Sequence, residues 1–178
     1  MLEIRKGWLT DIPALLELIN AYAAKGIMLP RTEFEIAENI RDFVVAFEDG
    51  RLVGCGALHF YTATSGEVRS LAVDPTVKAK GIGRAIVETL EKEAREQDLH
   101  SLFAFTYVAG FFARLGFEEV ERGELPLKAW KDCLRCPKFQ ACDEIAVLKR
   151  LKPDGPGDLP LRLTKISDFP QFPVLQKR

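Results

Sequence analysis

One stretch of the sequence constrains the fold more than any other, because a strand-like run leads through a glycine loop into a helix. Residues 67–73 have the pattern of a strand that stops at Asp74-Pro75, and helical periodicity extends from about residue 83 to 97. Gly81 and Gly83 stand where the loop opens the helix. Amides at a helix N-terminus lack internal acceptors, and the helix dipole adds positive charge there. The stretch predicts either an anion-binding site or an ordinary strand–helix connection.

The remaining pattern predicts strands and helices that alternate along the chain. We expect further strands at residues 2–6, 43–47, 52–61, 101–105, 117–121 and 144–151, and a tight turn at 48–51. Helical periodicity appears at residues 12–22, 32–40 and 109–115. Thr32 and Glu35 have the spacing of a capping box at the start of the second helix.

Charge and hydropathy exclude two classes of partner. The 178 residues include 25 Lys and Arg and 26 Asp and Glu, for a net charge of −1. Such a balance lacks the excess of positive charge that nonspecific binding to nucleic acid requires. No apolar run approaches the roughly 20 residues that span a bilayer, and the first residues lack the apolar core of a signal peptide. We therefore expect a cytoplasmic protein that binds neither nucleic acid nor a membrane. The sequence does not determine the oligomeric state, and a homodimer is one alternative.

The glycine loop resembles the acetyl-CoA motif of the GNAT N-acetyltransferases, which reads Gln/Arg-x-x-Gly-x-Gly/Ala. Here the motif is Lys78-Ala79-Lys80-Gly81-Ile82-Gly83, with Lys at the first position, and Leu71-Ala72-Val73-Asp74-Pro75 precedes it. Residues 111–117 resemble the late helix of the family, which ends in Gly-Phe. The resemblance implies acetyl-CoA as acetyl donor. It also implies one α/β domain over residues 1–151, with a mixed, mostly antiparallel sheet and helices on both faces.

The resemblance also implies the residues that contact acetyl-CoA. The backbone of residues 71–73 would pair with the pantetheine arm, and the amides of residues 79–84 would hold the pyrophosphate. The implied set is Leu71, Ala72, Val73, Lys78, Ala79, Lys80, Gly81, Ile82, Gly83, Arg84 and Phe112. Phe112 stands where the family usually has a tyrosine beside the sulfur, so this helix offers no hydroxyl to protonate the leaving thiolate. The nearest tyrosine, Tyr107, is expected to pack at a strand end.

Other segments resemble the short amino-acid N-acetyltransferases that make N-acetylglutamate for arginine synthesis. They are residues 53–59, 66–69 and 103–106, followed by 111–114. The resemblance implies that the acceptor is the α-amine of an amino acid, namely L-glutamate. Two alternatives stay open: acetylation of another small amine or a protein N-terminus, and a non-catalytic acyl-CoA-binding sensor.

A glutamate pocket needs cationic partners for two carboxylates. Arg31, in the loop between the first two helices, and Arg69, on the strand beside the thioester, are our candidates for substrate binding. Lys128 and Lys131 in the late insertion are weaker candidates, and each of these cations could instead be a solvated surface residue.

Glu67 is the candidate catalytic base. The alternative is that the Glu67 carboxylate has a structural role and forms an ion pair with Arg69 on the same strand. Strand alternation places Glu67, Arg69, Leu71 and Val73 on one face unless a bulge intervenes. A covalent route through Cys55 is disfavoured, because it lies mid-strand in an apolar run with no neighbouring base. We expect Cys55 and His59 to be packing residues.

The late insertion, residues 123–143, contains the cysteines Cys133, Cys136 and Cys142. A Cys-x2-Cys spacing suits zinc, but a structural zinc site normally has four ligands. We therefore predict that these cysteines are free thiols and bind no metal. The alternatives are a zinc or iron–sulfur site and a redox-responsive disulfide. Residues 152–178 contain five of the ten prolines and predict an extended C-terminal arm.

Overall fold

Seven strands form one mixed sheet in the computed structural model, which describes residues 1–77, 81–125, 136, 138 and 142–152. In chain order the strands are β1 (Leu2–Lys6), β2 (Phe43–Glu48), β3 (Arg51–Phe60), β4 (Ser65–Val73), β5 (Ser101–Thr106), β6 (Glu118–Glu119) and β7 (Ile145–Arg150). Across the sheet they lie in the order β1-β2-β3-β4-β5-β7-β6. Neighbouring strands are antiparallel except β4 and β5, which are parallel. The predicted mixed, mostly antiparallel sheet is confirmed.

Helices cover both faces of this sheet. In the described part of the chain they are α1 (Ile12–Ala23), α2 (Glu33–Glu38), α3 (Ile82–Glu96) and α4 (Ala109–Ala113). α3 and α4 bury apolar side chains, among them Ile86 and Phe112, against one face. α1 and α2 bury Leu15 and Ile36 against the other. The predicted α/β architecture with helices on both faces is therefore confirmed.

α2 begins as predicted but ends earlier. Thr32 Oγ1 accepts the Glu35 N–H at 3.2 Å and Glu35 Oε2 accepts the Thr32 N–H at 2.8 Å, so the predicted capping box is present. The helix stops at Glu38 because Asn39 leaves the helical conformation and its side-chain amide donates to the Glu35 carbonyl oxygen at 2.7 Å. A 3-10 turn, Ile40–Asp42, follows and leads into β2.

β4 contains a β-bulge at Ser70. Arg69 pairs with Ala57 of β3 and Ala72 pairs with Cys55, so two residues of β4 lie opposite one residue of β3. The φ angle of Ser70 is +52°, a left-handed conformation that costs a non-glycine residue about 1–2 kcal/mol. The extra residue re-aims the side chains that follow it.

The bulge reverses the alternation of side chains along β4. Arg69 lies opposite Ala57, which belongs to the core under α1 and α2, and Glu67 lies two residues earlier on the same face. Leu71 and Val73 instead pack into the core under α3. The four residues were expected to share a face unless a bulge intervened; the bulge is present, so Leu71 and Val73 lie on the opposite face from Glu67 and Arg69.

β4 and β5 separate soon after they meet. Their ladder joins Ser65–Glu67 to Ser101–Phe103, and it contains no further pair between these two described strands. Both strands continue beyond it, to Val73 and Thr106. Parallel strands that continue without pairing leave backbone groups at an open edge. This opening determines where the candidate site lies.

A partly buried ion pair joins β1 to the start of α1. Arg5 donates to both carboxylate oxygens of Asp11, at 2.7 and 3.0 Å, and the Trp8 N–H donates to Asp11 Oδ2 at 2.8 Å. The hydrogen bonds from Arg5 hold the pKa of the Asp11 carboxyl below its usual value, although burial opposes them. The ionised Asp11 therefore stabilises the folded state.

We expect Asp11→Asn to lower the free energy of unfolding by about 1.5–3 kcal/mol at neutral pH, the usual worth of hydrogen bonds to a charged group. The Asp11 carboxyl has a lower pKa in the folded than in the unfolded protein. The difference in free energy of unfolding between wild type and variant is therefore complete above the pKa of the unfolded state, about 3.9. It disappears as the pH falls through the folded pKa. Urea unfolding of both proteins across acidic pH measures the difference, with Glu96→Gln at an exposed site as control. A difference that does not change with pH would contradict the prediction.

Several predicted features lie outside the described residues. They are Lys78, Ala79 and Lys80 of the glycine loop, Lys128 and Lys131, Cys133, and nearly all of the C-terminal arm. The domain limits 1–151, 123–143 and 152–178 therefore stay predictions. No described helix is long and apolar enough to cross a membrane. The described residues also contain no group of three or more His, Cys, Asp or Glu side chains placed to hold a metal ion.

Candidate active site

A cleft of about 760 Å³ opens where β4 and β5 separate. One wall is β4 over residues 67–71, and the opposite wall is the end of β5 with Tyr107 and Val108. Residues 26–31 of the loop between α1 and α2 lie over it, and Phe112 of α4 contributes to the lining. Five of the predicted site residues therefore share one cleft: Arg31, Glu67, Arg69, Leu71 and Phe112.

The N-terminus of α3 has the geometry of an anion site. Gly81 precedes the helix with a φ angle of +77°, a conformation that favours glycine. The helical ladder starts with the Ala85 N–H, which donates to the Gly81 carbonyl oxygen at 3.0 Å. The N–H groups of Ile82, Gly83 and Arg84 come before that point and have no acceptor inside the helix. These amides fit the diphosphate of a coenzyme.

The side chains at this helix end contribute less than the backbone. Ile82 is buried in the core, and Arg84 Nε donates to Glu88 at 2.7 Å on the surface of α3. A Cβ at Gly83 would lie 3.5 Å from both Phe111 Cζ and Val73 Cγ2. A single methyl group fits there, whereas a branched side chain would contact these neighbours or extend toward the helix amides.

The backbone of Val73 faces the open edge of β4. The next residue, Asp74, donates its N–H to the Val53 carbonyl oxygen of β3 at 2.8 Å, so the groups of Val73 point the other way. The Tyr22 hydroxyl donates to the Val73 carbonyl oxygen at 2.5 Å. Ala72 pairs with β3 and is 2% exposed. An extended ligand chain would therefore pair with Leu71 and Val73 rather than with Ala72.

Tyr61 holds the carboxylate of Glu67. The Tyr61 hydroxyl donates to Glu67 Oε2 at 2.9 Å, and the Tyr61 ring packs against His59 and Phe103 with centroids 5.1 and 5.4 Å away. Tyr61 and Glu67 both line the cleft. A hydrogen bond from a packed tyrosine fixes the orientation of the carboxyl group that accepts it. One oxygen of Glu67 is therefore held by Tyr61 within the cleft.

The Arg69 side chain lies against the turn that follows α2. Its Nη2 donates to Asn39 Oδ1 at 3.3 Å and lies 3.7 Å from Asp42 Oδ2. The side chain is 13% exposed, so it differs from the solvated surface cation considered as the alternative. Contacts with Asn39 and Asp42, which lie outside β4, thus hold the guanidinium beside the cleft.

Arg31 is fixed through its backbone. The Asn20 side chain donates to the Arg31 carbonyl oxygen and accepts the Arg31 N–H, both at 2.9 Å. Arg31 Nη1 lies 3.9 Å from Glu35 Oε1, and the side chain is 13% exposed. Arg31 and Arg69 therefore bring two largely buried guanidinium groups to one cleft.

Tyr107 does more than pack at the end of β5. Its hydroxyl donates to Asp143 Oδ1 at 2.9 Å and accepts a hydrogen bond from Lys138 Nζ at 3.1 Å. Burial raises the pKa of the Tyr107 hydroxyl and also that of Glu144, a second carboxyl in the cleft lining. The expectation of simple aromatic packing is therefore wrong for Tyr107, because its hydroxyl belongs to a polar group at the cleft.

Cys55 is a packing residue as expected, whereas His59 packs against Tyr61 and also makes a hydrogen bond. Cys55 is fully buried, and burial raises the pKa of its thiol to about 12, so it offers no thiolate nucleophile at neutral pH. His59 Nδ1 instead lies 2.6 Å from Asp42 Oδ2. Because an ionised carboxylate only accepts, Nδ1 is the donor of this hydrogen bond. The sequence separation of Asp42 and His59 concealed this contact.

Sequence reasoning missed the residues that hold the site in place. They are Tyr22, Asn20, Asn39, Asp42 and Tyr61, and none lies within a motif. Tyr61 alone carried a signal, because the predicted strand 52–61 places it on the same face as His59 by alternation. The other contacts depend on how α1 and the turn after α2 approach the sheet.

A family-level comparison identifies the protein class. The model described as "Acetyltransferase (GNAT) family" matches residues 13–117, more than half of the chain. The chain belongs to the GNAT acetyltransferase family. The matched segment runs from Pro13 in α1 to Phe117, the residue before β6, so it includes the bulge of β4 and the glycine loop. The predicted family membership is confirmed.

Two relatives of this GNAT protein match much of its length. An uncharacterized N-acetyltransferase of Chlorobaculum tepidum is 45% identical over 148 residues, covering 83% of this chain and 96% of the relative. An amino-acid acetyltransferase of Mycobacterium tuberculosis is 40% identical over 121 residues, covering 66% of this chain and 69% of the relative.

Solved structures with the same fold contain the coenzyme. N-acetylglutamate synthase from Neisseria gonorrhoeae, complexed with coenzyme A and N-acetyl-glutamate, has a TM-score of 0.77 and 29% identity. The match covers 85% of this chain and 35% of that longer chain. A Mycobacterium tuberculosis protein in complex with CoA has a TM-score of 0.73 and 32% identity, covering 84% of this chain and 99% of that one. The predicted use of acetyl-CoA by an N-acetyltransferase is confirmed at the level of the family.

Proposed function

We propose that this GNAT protein transfers the acetyl group of acetyl-CoA to the α-amine of an amino acid, L-glutamate, as in arginine biosynthesis. The observation that carries the proposal is the arrangement of Arg31, Arg69 and Glu67 around one cleft beside the β4 bulge. Two guanidinium groups match the two carboxylates of glutamate, and a carboxylate can accept the proton of its amine. The names of the Mycobacterium tuberculosis relative and of the Neisseria gonorrhoeae neighbour support an amino acid and glutamate, respectively.

The donor side of the proposal uses mainly backbone groups. Leu71 and Val73 pair with the pantetheine arm, with Ala72 between them, and the α3 N-terminus with Gly81 and Gly83 binds the diphosphate. The wider set predicted to contact acetyl-CoA also contains Lys78, Ala79, Lys80, Ile82, Arg84 and Phe112. The donor supplies an acetyl thioester, and the amine attacks its carbonyl carbon. When the tetrahedral intermediate collapses, the C–S bond breaks and CoA leaves as a thiolate, which takes up a proton from solvent, while the acetyl group stays on the amine nitrogen.

The acceptor side requires a base and a donor for the developing oxyanion. The α-amine is largely protonated at neutral pH and must lose a proton before attack. We propose that Glu67 takes this proton, directly or through a water molecule, while Tyr61 holds its other oxygen. A backbone N–H near Leu71, at the bulge, is the proposed donor to the carbonyl oxygen as charge develops there.

We expect Glu67→Gln to lower kcat by at least about 100-fold, the lower range for loss of a general base. Glutamine keeps the size and the hydrogen bond to Tyr61 but accepts no proton. Steady-state kinetics with acetyl-CoA and glutamate measure the change, and Glu144→Gln is the matched control because Glu144 lines the same cleft. The control should retain nearly full activity. The opposite ranking of the two variants would assign the base to Glu144.

The proposed function is tested by release of free CoA from acetyl-CoA in the presence of glutamate, with the acetylated product identified by mass spectrometry. We expect glutamate-dependent release and N-acetylglutamate as product. Phe112 leaves α4 without a hydroxyl, so the sensor alternative predicts CoA binding without turnover for every amine. Such a result would contradict the proposal.

A further inference from the structure

A polar group behind Arg69 has no part in the reaction proposed above. Asp42 lies in the turn Ile40–Asp42, and its Oδ2 accepts from His59 Nδ1 of β3 at 2.6 Å. The same oxygen lies 3.7 Å from Arg69 Nη2, which also donates to Asn39. The side chains of Asp42 and His59 are 22% and 21% exposed, so both are largely shielded from solvent. One carboxylate therefore joins a histidine of β3 to the candidate substrate arginine of β4.

The distance between Asp42 and Arg69 differs from that of the other arginine–aspartate pair on this face. Arg5 and Asp11 form a bidentate pair at 2.7 and 3.0 Å, which occupies the edge of the guanidinium. Asp42 stays farther from Arg69, and its close contact is with His59. The short hydrogen bond to His59 orients the Asp42 carboxylate, whose Oδ2 lies 3.7 Å from Arg69 Nη2. Asp42 thus balances the charge of Arg69 without a bidentate contact.

We propose that Asp42 and His59 are positioning residues that hold the Arg69 guanidinium in place for a carboxylate of the amine acceptor. This inference rests on the proposed function, since Arg69 must bind the acceptor. An arginine side chain loses rotamer entropy when it is immobilised, so an arginine that is already fixed before binding lowers the entropic cost of binding the acceptor. The effect should appear as acceptor affinity, while acetyl-CoA binding at the α3 end of the cleft is unaffected.

Asp42→Asn tests the role of the carboxylate in a double-mutant cycle with Arg69→Ala. We expect Asp42→Asn to raise KM for glutamate by about 10-fold, a typical cost of a misplaced binding group, with little change in kcat or in KM for acetyl-CoA. In the Arg69→Ala background, Asp42→Asn should change KM for glutamate by less than about 2-fold, because its effect acts through Arg69. A merely structural role would give the same change in both backgrounds.

The role of His59 is tested by a pair of substitutions. His59→Ala removes the donor to Asp42, whereas His59→Asn places an amide N–H near the position of Nδ1. We expect His59→Ala to lower kcat/KM for glutamate by about 10-fold and His59→Asn to recover most of that loss. Asp11→Asn is the matched control, since it disturbs an arginine–aspartate pair outside the cleft. It should lower stability but leave KM for glutamate unchanged.

The outcomes separate this inference from the proposed function. If the wild type acetylates glutamate but Asp42→Asn leaves its KM unchanged, or acts equally without Arg69, the positioning role is overturned and the function stands. If the wild type uses a different carboxylate-bearing amine, glutamate is wrong, and the same cycle on that acceptor supports or overturns the positioning role. If the wild type acetylates only amines without a carboxylate, both are overturned.

Discussion

Replacing Arg69 or Arg31 by alanine is expected to lower kcat/KM for glutamate by at least about 30-fold each, with acetyl-CoA binding nearly unchanged. Both guanidinium groups line the cleft and are largely buried, so an acceptor carboxylate left without its partner would be desolvated and unpaired. Loss of one partner from such a charge pair costs about 2–5 kcal/mol. At 1.4 kcal/mol per decade this corresponds to roughly 30-fold to several thousand-fold.

The arginine variants need a control that lies close to the cleft without lining it. Arg41 belongs to the same turn as Asp42 and is exposed, so Arg41→Ala should retain wild-type kinetics. Titration calorimetry with CoA shows whether the donor site is intact in each variant. Wild-type turnover of glutamate by both Arg31→Ala and Arg69→Ala would exclude the proposed acceptor pocket.

Gly83→Val is expected to weaken acetyl-CoA binding by at least about 10-fold while the protein stays folded. The space at Gly83 accepts a Cβ in ordinary contact with Phe111 and Val73, but the branched methyl groups of valine extend beyond it. They would crowd a diphosphate at the α3 N-terminus, where hydrogen bonds to a charged group are worth about 1.5–3 kcal/mol. That energy corresponds to roughly 10-fold to 150-fold in Kd.

Calorimetry with CoA measures this effect, and circular dichroism reports on folding. Gly110→Val in α4 is the matched control, because a Cβ at Gly110 meets no atom within 4 Å. The control places the same side chain at a position of α4 that does not line the cleft, and it should bind CoA like the wild type. If Gly83→Val binds CoA with wild-type affinity, the glycine loop does not bind the coenzyme in the proposed way.

Features set by neighbouring residues could be predicted from the sequence. The hairpin at residues 48–51 was predicted from Asp49 and Gly50, and both have positive φ angles of +51° and +80°. The capping box at Thr32 and Glu35 is likewise present. The helix predicted over about residues 83–97 is present as Ile82–Glu96, and Gly81 adopts the left-handed conformation at its N-cap. Local turn and capping chemistry determines each of these features.

Features set by contacts between distant segments could not be predicted in this way. The bulge of β4 sits at Ser70, a residue whose type does not indicate a positive φ angle. It moved Leu71 and Val73 to the opposite face from Glu67 and Arg69.

The contact of His59 with Asp42 joins residues 17 positions apart, and that of Arg69 with Asn39 joins residues 30 positions apart. Five of the residues singled out from the sequence share the cleft, but the sequence did not indicate the residues that hold them there. Such contacts follow from the register of β3 and β4 and from the approach of the turn after α2.

Competition between acceptor amines tests directly whether this protein selects glutamate. Purified wild-type protein is given acetyl-CoA with equal concentrations of glutamate, glutamine and an amine without a carboxylate, and the acetylated products are quantified. We expect N-acetylglutamate as the main product, because in the proposed pocket Arg31 and Arg69 each pair with one carboxylate of glutamate. Preferential acetylation of the amine without a carboxylate would contradict it.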